Sequence, residues 1–239
     1  MIWTIETIKE RLISIKAKGY IPVPERKYRK DDGIVGQILE SEFGITENNL
    51  HIKDLGAFEL KGLRHKKGRS CMLTLFHQKS SCGLTPIQIF DRFGYIKKSN
   101  RSDIMKKKLF TTIRGNKVNS LGFILRVEAE NEINLYFHEE YLATWDLSEA
   151  RNKIDQIVLA FANTKGTVNS KEEQFHYTKA CLLSDMLSLA DAIAAGAVVM
   201  DLCIDQPADG SRGAHDRGPH IRIPVKKLDK LYAKIEELL

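Results

Sequence analysis

The amino-acid sequence predicts a mixed α+β fold, in which helices and strands follow one another irregularly. Apolar residues recur at helical spacing near both ends of the 239-residue chain, whereas its middle shows period-two alternation and short apolar runs. A regular doubly wound fold would instead alternate strands and helices in strict order. With 43% hydrophobic residues, the chain is long enough to bury a large core as one domain or two closely joined lobes.

Two helices are predicted in the first 44 residues. The first begins at Thr4 and stops at Gly19, with apolar residues three or four positions apart. The second begins behind Asp32 as its N-cap and ends at Gly44, and Glu40 lies just beyond its apolar arc. The inward-facing residues of this second helix are Ile34, Ile38, Leu39 and Phe43.

The remaining pattern is mostly that of strands, followed by helices toward the C-terminus. A capping box at Ser170–Glu173 predicts the start of a long helix, and an amphipathic helix is predicted through Leu228, Leu231, Ile235 and Leu238. A polar loop is expected from Gln206 to Pro219. Strands are predicted at Leu50–Leu63, Met72–Phe76, Leu121–Val127, Ile133–Phe137, Ile157–Phe161, Val198–Ile204 and Ile221–Val225.

Charge and cysteine content narrow the class of protein. Lys and Arg total 37 against 31 Asp and Glu, and the net charge of +6 favours an anionic partner. The four cysteines show no C-x-x-C pairing and no cleavable apolar leader precedes them, so we expect a soluble protein in a reducing, cytoplasmic compartment. The most basic stretch runs from Lys97 to Lys117 and suggests a phosphate-facing surface, with a solvated helix at Lys106–Lys108 as an equal alternative.

The segment Asp54–Lys61 carries the pattern of a metal-dependent nuclease. On a strand, Phe58 and Leu60 share one face while Glu59 and Lys61 share the other. Phosphodiester hydrolysis needs a hard cation, and the carboxylates of Asp54 and Glu59 are suitable ligands for Mg²⁺. An ammonium group two residues after Glu59 can orient the attacking water and contact the scissile phosphate, which is the role predicted for Lys61.

The short motif is weak by itself, because an acid two residues before a lysine is common. A second copy occurs at Glu25-Arg26-Lys27, but it lies in a polar run without an acid close upstream. The first copy has Asp54, strand alternation and a preceding helix that carries Glu40, and it is therefore preferred. The pattern leaves open that Glu59 and Lys61 are an exposed cross-strand ion pair.

Five segments resemble the MvaI/BcnI family of type II restriction endonucleases. Within that family, the segments are especially similar to the BcnI branch. They are Asp32–Glu40, Asp54–Lys61, Leu73–His77, Arg92–Gly94 and His215–Ile223. The resemblance implies a PD-(D/E)XK core shared with the mismatch-repair nicking enzyme MutH, with a catalytic lobe and a DNA-recognition lobe forming a cleft. It also implies that Glu40 joins Asp54, Glu59 and Lys61, acting through water at the metal.

The resemblance further implies a five-base-pair recognition site of the form CC-S-GG, where S is C or G. His77 and His220 would read the central pair, since an imidazole can donate to guanine and its neutral form can also accept. Asp201 would accept from a cytosine amino group and Arg222 would bind a guanine. The other branch of the family has an arginine where this chain has Cys203, and Arg217 is our candidate for that outer-base contact.

Several alternatives remain at this point. A zinc site from His215, His220 and a cysteine is disfavoured, because no ligand spacing matches a closed site. The basic run Arg64–Arg69 is either a solvated turn or a contact to phosphates beside the cut. A MutH-like repair nickase and a non-catalytic DNA-binding protein are the competing functions. We expect a monomer, with a cognate DNA methyltransferase that forms no stable complex with it.

Overall fold

The structure is a computed structural model that describes residues 2–24, 31–45, 53–65, 71–99 and 104–239. The α-helices are α1 (Ile5–Ala17), α2 (Ile34–Glu42), α3 (Pro86–Phe93), α4 (Ser148–Ile154) and α5 (Leu189–Ala194), and a 3₁₀ helix spans Val225–Lys230. The strands are β1 (Ile21–Pro22), β2 (Glu59–Arg64), β3 (Met72–His77), β4 (Cys82–Gly83), β5 (Tyr95–Lys98), β6 (Met105–Ile113), β7 (Phe123–Ala129), β8 (Glu132–Phe137), β9 (Glu140–Asp146), β10 (Ile157–Lys165), β11 (Gln174–Met186), β12 (Val199–Pro207), β13 (His215–Asp216), β14 (His220–Pro224) and β15 (Tyr232–Glu237).

The chain divides into two compact units. Unit 1 comprises Met1–Cys71, Asn152–Met186 and Tyr232–Leu239, and unit 2 comprises Met72–Arg151 and Leu187–Leu231. None of the helices among the described residues is long and apolar enough to cross a membrane.

Unit 1 is a five-stranded sheet covered by α1 and α2. The strand order is β1-β11-β10-β2, with β15 paired to the remaining part of β11. Strand β10 runs parallel to β2 and antiparallel to β11. A Cβ atom on Gly62 would lie 2.9 Å from the backbone oxygen of Val35, so only glycine lets α2 approach the backbone of β2 this closely.

Unit 2 contains two antiparallel sheets. The larger has the order β3-β14-β12-β6-β5, with β13 paired to β12, and the smaller has the order β4-β9-β8-β7. Met200, Leu202 and Ile204 of β12 are buried, and the intervening residues Asp201, Cys203 and Asp205 belong to the opposite face. The larger sheet therefore packs with one face and presents polar side chains on the other.

Several predicted elements are confirmed by the structure. Helix α1 begins behind Thr4, whose hydroxyl accepts from the backbone N–H of Thr7 in a capping box. The strands predicted at Met72–Phe76, Leu121–Val127, Ile133–Phe137, Ile157–Phe161, Val198–Ile204 and Ile221–Val225 correspond to β3, β7, β8, β10, β12 and β14. Strand β13, which lies within the expected polar loop, was not predicted, and neither were strands β4, β5, β6 and β9 or helices α3, α4 and α5.

The predicted N-cap of α2 and the predicted long strand before Leu63 are wrong in detail. Gly33, not Asp32, is the N-cap, and it makes no side-chain cap; the carboxylate of Asp32 is paired with Arg64 instead. Strand β2 begins only at Glu59, because the backbone turns at Gly56 with a φ of 71°. The strand prediction for residues 50–52 lies outside the described residues.

The helices predicted after Ser170 and near the C-terminus are wrong. Residues from Gln174 form the 13-residue strand β11, and Tyr232–Glu237 form β15, which pairs antiparallel with β11. Lys106–Lys108 also lie on a strand, β6, rather than on a helix. Backbone pairing with neighbouring strands, which sequence spacing does not reveal, overrides the local helical pattern in each case.

Candidate active site and DNA-reading surface

Asp54 is folded back onto the start of β2 by a tight turn. The backbone N–H of Leu55 donates to the carbonyl of Phe58 at 2.9 Å, and Gly56 supplies the positive φ that this turn requires. The Oδ2 atom of Asp54 accepts from the backbone N–H of Leu60 at 3.0 Å. The turn therefore brings the carboxylate of Asp54 alongside the strand that carries Glu59 and Lys61.

Glu59 is a buried carboxylate and not part of an exposed pair. Its relative exposure is 2%, and its Oε1 atom accepts from Lys61 Nζ at 2.6 Å. Burial raises the pKa of Glu59; the ammonium of Lys61 opposes this shift, and the charge of Asp54 adds to it. The alternative of a cross-strand surface pair is wrong, because both residues lie in β2 and Glu59 is enclosed.

A further lysine, Lys153 at the end of α4, reaches the same carboxylate. Its Nζ lies 3.6 Å from Glu59 Oε1. The other oxygen, Glu59 Oε2, is buried and has no hydrogen-bond partner among the residues that the structure describes. Sequence reasoning missed Lys153 because it lies 94 positions from Glu59, and only the parallel pairing of β10 with β2 brings the end of α4 to this strand.

Glu40 lies on α2, the helix that packs on β2. A Cβ atom on Gly36 would lie 3.8 Å from Glu40 Oε1, and the backbone of Gly36 is itself 3.1 Å from the corresponding position on Gly62. Tyr177 anchors the same helix by donating its hydroxyl to Val35 at 2.5 Å. Burial raises the pKa of Tyr177 far above its usual value, and nearby Glu42 and Glu40 contribute. Glu40 therefore lies beside the strand that carries Glu59 and Lys61.

The residues around Glu59 fit a divalent cation held by two carboxylates. Glu59 Oε2 is a buried acceptor to which no described residue donates, and Asp54 is the second acid, on the turn that leads into the same strand. Among the described residues, no group of three or more His, Cys, Asp or Glu side chains is arranged to hold a metal ion. A cation here would need further ligands from water, backbone carbonyls or substrate phosphate, which is typical of Mg²⁺.

In unit 2, His77 and His220 face each other across neighbouring strands. They are register partners of β3 and β14, and their rings meet edge to face with centroids 4.3 Å apart. The Nε2 of His220 lies 2.9 Å from the carbonyl of Arg217, so Nε2 is the protonated nitrogen. Burial lowers the pKa of His220, which favours the neutral ring, with Nδ1 as an acceptor.

Asp201 and Arg222 form an ion pair on the same sheet face. Arg222 Nη1 donates to Asp201 Oδ2 at 2.7 Å, and the hydroxyl of Thr112 donates to Asp201 Oδ1 at 2.6 Å. The Nε of Arg222 is buried, with no hydrogen-bond partner in the described part of the chain. The two side chains thus place a donor and an acceptor next to each other.

Arg217 lies beside Cys203 and is held by two further residues. Its backbone N–H donates to the carbonyl of Cys203 at 3.2 Å, and its Nη2 donates to Asp205 Oδ2 at 3.0 Å. Its guanidinium carbon is 5.4 Å from the centre of the Phe110 ring. Burial alone would raise the pKa of Asp205, but hydrogen bonds from Lys106 and Arg217 lower it.

Asp205 and Phe110 were not predicted to lie with Arg217 on the polar face of the larger sheet of unit 2. The signal was present for Asp205, which lies four residues after Asp201 and so shares its face of a strand. Phe110 had no such signal, because its exposure on the polar face follows from its pairing with Cys203 across β6 and β12.

Arg64 is a structural residue, and the prediction that it belongs to a phosphate-contacting or solvated run is wrong. Its side chain is 4% exposed and forms two hydrogen bonds to the buried carboxylate of Glu173, at 2.7 and 2.8 Å. Asp32 and Asn169 also accept hydrogen bonds from the Arg64 side chain. Residues 66–69 of that run, and the second motif at residues 25–27, lie outside the described residues.

The four cysteines are free. Burial raises the pKa of Cys203, and it raises that of Cys181 to about 11, so neither thiol is activated. None of the described histidines and cysteines belongs to a group of three or more side chains that could hold a metal ion, which gives no support to a zinc site.

Solved structures of a restriction endonuclease share this fold. The chain is similar to the structure described as the restriction endonuclease MvaI-cognate DNA substrate complex, with a TM-score of 0.76, 20% identity and 98% of each chain covered. It is also similar to the restriction endonuclease MvaI in the absence of DNA, with a TM-score of 0.52, 21% identity and coverage of 100% of this chain and 99% of the other. The fold is therefore that of a restriction endonuclease.

The family itself is established by a sequence model. The model of the MvaI/BcnI restriction endonuclease family matches residues 9–232, and the chain belongs to this family. It is accordingly a type II site-specific deoxyribonuclease that acts on DNA, and such enzymes typically use divalent metal ions. No curated protein matches the sequence.

Proposed function

We propose that the enzyme hydrolyses phosphodiester bonds of double-stranded DNA at a CC-S-GG-like site, with Mg²⁺ held by Asp54 and Glu59. The observation that carries the proposal is the buried Glu59, whose Oε2 has no hydrogen-bond partner within the described ranges while Lys61 is bound to Oε1. A buried carboxylate oxygen without a partner is costly unless a ligand completes it. A divalent cation is the ligand that this reaction needs.

Each residue of the site has a distinct part in the proposed reaction. Asp54 and Glu59 would hold the Mg²⁺ ion, which would supply positive charge to the phosphate and would make a bound water more acidic. Lys61 leaves Glu59, orients the attacking water and contacts the scissile phosphate. Glu40, on α2 beside β2, would act on the metal through water. Asp54 is held in place by its hydrogen bond from the backbone N–H of Leu60.

Paired substitutions of Asp54 test the active site. Asp54→Asn keeps a side-chain oxygen that can accept from Leu60, so the fold is preserved, but it removes the charge that a metal needs. We expect both Asp54→Asn and Asp54→Ala to lower the cleavage rate by about a thousandfold or more, because a metal supplies several kcal/mol of stabilisation. Cognate DNA binding in Ca²⁺ should persist, and EDTA should abolish cleavage. Wild-type cleavage by Asp54→Asn in Mg²⁺, or full activity in EDTA, would exclude the mechanism.

For sequence recognition, we propose that the polar face of unit 2 reads the base edges. In the Arg222–Asp201 pair, the arginine can donate to guanine O6 and N7 while the aspartate accepts from cytosine N4, which matches the edge of one G·C pair. His77 and His220 read the central pair. Arg217 supplies the outer contact in place of an arginine at Cys203, since its backbone is bound to the carbonyl of Cys203.

We further propose that one molecule nicks the two strands in succession. A site with an odd base pair at its centre is not strictly palindromic, and the chain carries one set of Glu40, Asp54, Glu59 and Lys61. A monomer would therefore bind the site in two orientations. The two histidines permit this reversal, because they can accept either C·G or G·C as the central pair. A companion methyltransferase would protect host DNA without forming a stable complex.

A supercoiled plasmid with one site tests this order of cutting. At low enzyme concentration, open-circular DNA should appear before linear DNA, and the nicking rate should rise linearly with enzyme. Cutting of both strands by purified protein would also separate this enzyme from a repair nickase that depends on a partner. Linear product without an open-circular intermediate, or a rate that rises with the square of enzyme concentration, would require a dimer.

A further inference from the structure

Two ammonium groups converge on one oxygen of the buried carboxylate in β2. Lys61 Nζ lies 2.6 Å from Glu59 Oε1, and Lys153 Nζ lies 3.6 Å from the same atom. The Lys153 side chain is 31% exposed and reaches inward from the end of α4. The proposed mechanism of hydrolysis uses Lys61 but gives no role to Lys153.

In the proposed reaction, Lys61 shares its three N–H donors among Glu59, the attacking water and the scissile phosphate. If its ammonium turns to the attacking water, Glu59 Oε1 loses its short hydrogen bond, although Glu59 is only 2% exposed. Leaving a buried carboxylate oxygen without a donor is unfavourable, and this cost would hold Lys61 in place. A second cation within reach of the same oxygen removes that obstacle.

We propose that Lys153 is a positioning residue, which keeps Glu59 Oε1 engaged and thereby releases Lys61 for the water and the scissile phosphate. The inference rests on the proposed function of Asp54, Glu59 and Lys61. The 3.6 Å separation places Lys153 close enough to replace Lys61 through a small movement of its flexible four-carbon stem. It is also a positive charge that opposes a metal ion at Glu59 Oε2.

The test compares Lys153→Gln, which removes the charge but keeps a polar chain, with Lys153→Arg, which keeps the charge. Lys234→Gln is the matched control, because Lys234 is an exposed lysine of the same unit that pairs with Glu236. Cleavage is measured in single turnover on a CC-S-GG duplex at saturating Mg²⁺. Metal binding is measured by calorimetric titration of Ca²⁺ into each enzyme–duplex complex.

We expect Lys153→Gln to slow cleavage by about tenfold to a hundredfold, in the range found when groups behind a metal ligand are removed. Its affinity for Ca²⁺ should rise by about threefold or more, because a like charge near the metal has been removed. Lys153→Arg should cleave within about threefold of wild type, and Lys234→Gln should match wild type in both measurements.

Two outcomes would overturn the proposal for Lys153. One is cleavage by Lys153→Gln at the wild-type rate. The other is slow cleavage with weakened Ca²⁺ binding and no rescue by Lys153→Arg, which would assign Lys153 a purely structural role. The Asp54→Asn variant distinguishes failure of the Lys153 proposal from failure of the proposed active site. If Asp54→Asn is inactive, these outcomes refute only the role of Lys153. If Asp54→Asn is active, the proposed active site is refuted as well.

Discussion

Glu173→Gln should destabilise unit 1 strongly, although Glu173 takes no part in the proposed chemistry. Glu173 is 1% exposed in its side chain and pairs with Arg64, which is 4% exposed, through two hydrogen bonds. Removing one partner of a buried ion pair costs about 3–5 kcal/mol, because the remaining charge is left uncompensated. Asp32 and Asn169 still contact Arg64, so we expect the lower end, about 3 kcal/mol.

Urea unfolding followed by circular dichroism measures this loss, and the melting temperature should fall by roughly 6–12 °C for a chain of this size. Glu139→Gln is the matched control, because Glu139 pairs with Arg126 but is 86% exposed, and its stability should be unchanged within error. A loss below about 1 kcal/mol in Glu173→Gln would refute the reasoning, since the pair would then not be buried as the structure has it.

Two further predictions concern His77 and His220. Substitution of either by Ala should weaken cognate DNA binding by about 1–3 kcal/mol, more at a central C·G than at a central A·T pair; equal losses at both sites would leave the histidines a structural role. Burial lowers the pKa of His220, so the unfolded chain binds its proton more readily than the folded protein does. The free energy of unfolding should therefore fall as the pH drops below about 6.5. In unfolding experiments at pH 5 to 7, His220→Asn should reduce this part of the pH dependence. The same pH dependence in wild type and variant would contradict a lowered pKa of His220.

The candidate active site was predictable because its motif is local. Asp54, Glu59 and Lys61 lie within eight residues, and strand alternation places Glu59 and Lys61 on one face whatever the rest of the fold does. The site's electrostatics were not predictable in this way. The burial of Glu59 and the approach of Lys153 depend on β10 pairing in parallel with β2, which joins segments almost a hundred residues apart.

The same distinction explains the wrong helices. Ser170–Glu173 has the spacing of a capping box, yet Glu173 is used to neutralise Arg64, and the following residues extend as β11 between β10 and β15. The C-terminal segment has apolar residues at helical spacing, but Tyr232–Glu237 forms β15, which pairs antiparallel with β11. The spacing of neighbouring residues carries no information about a strand that is remote in sequence and offers unpaired backbone N–H and C=O groups. Hydrogen bonds to that strand outweigh a modest helical propensity.

The sequence by itself determined the mixed fold class and the acid–lysine motif, because period, charge and short-range spacing are properties of neighbouring residues, whereas the residues offered for base reading came from the resemblance to the family. Tertiary structure alone decided which charges are partnered. It placed Arg217 against Asp205 and Phe110, joined Arg222 to Asp201, and enclosed Arg64 with Glu173. Ion pairs are fixed by the register of strands that are remote in sequence, and burial then sets how strongly each charge depends on its partner.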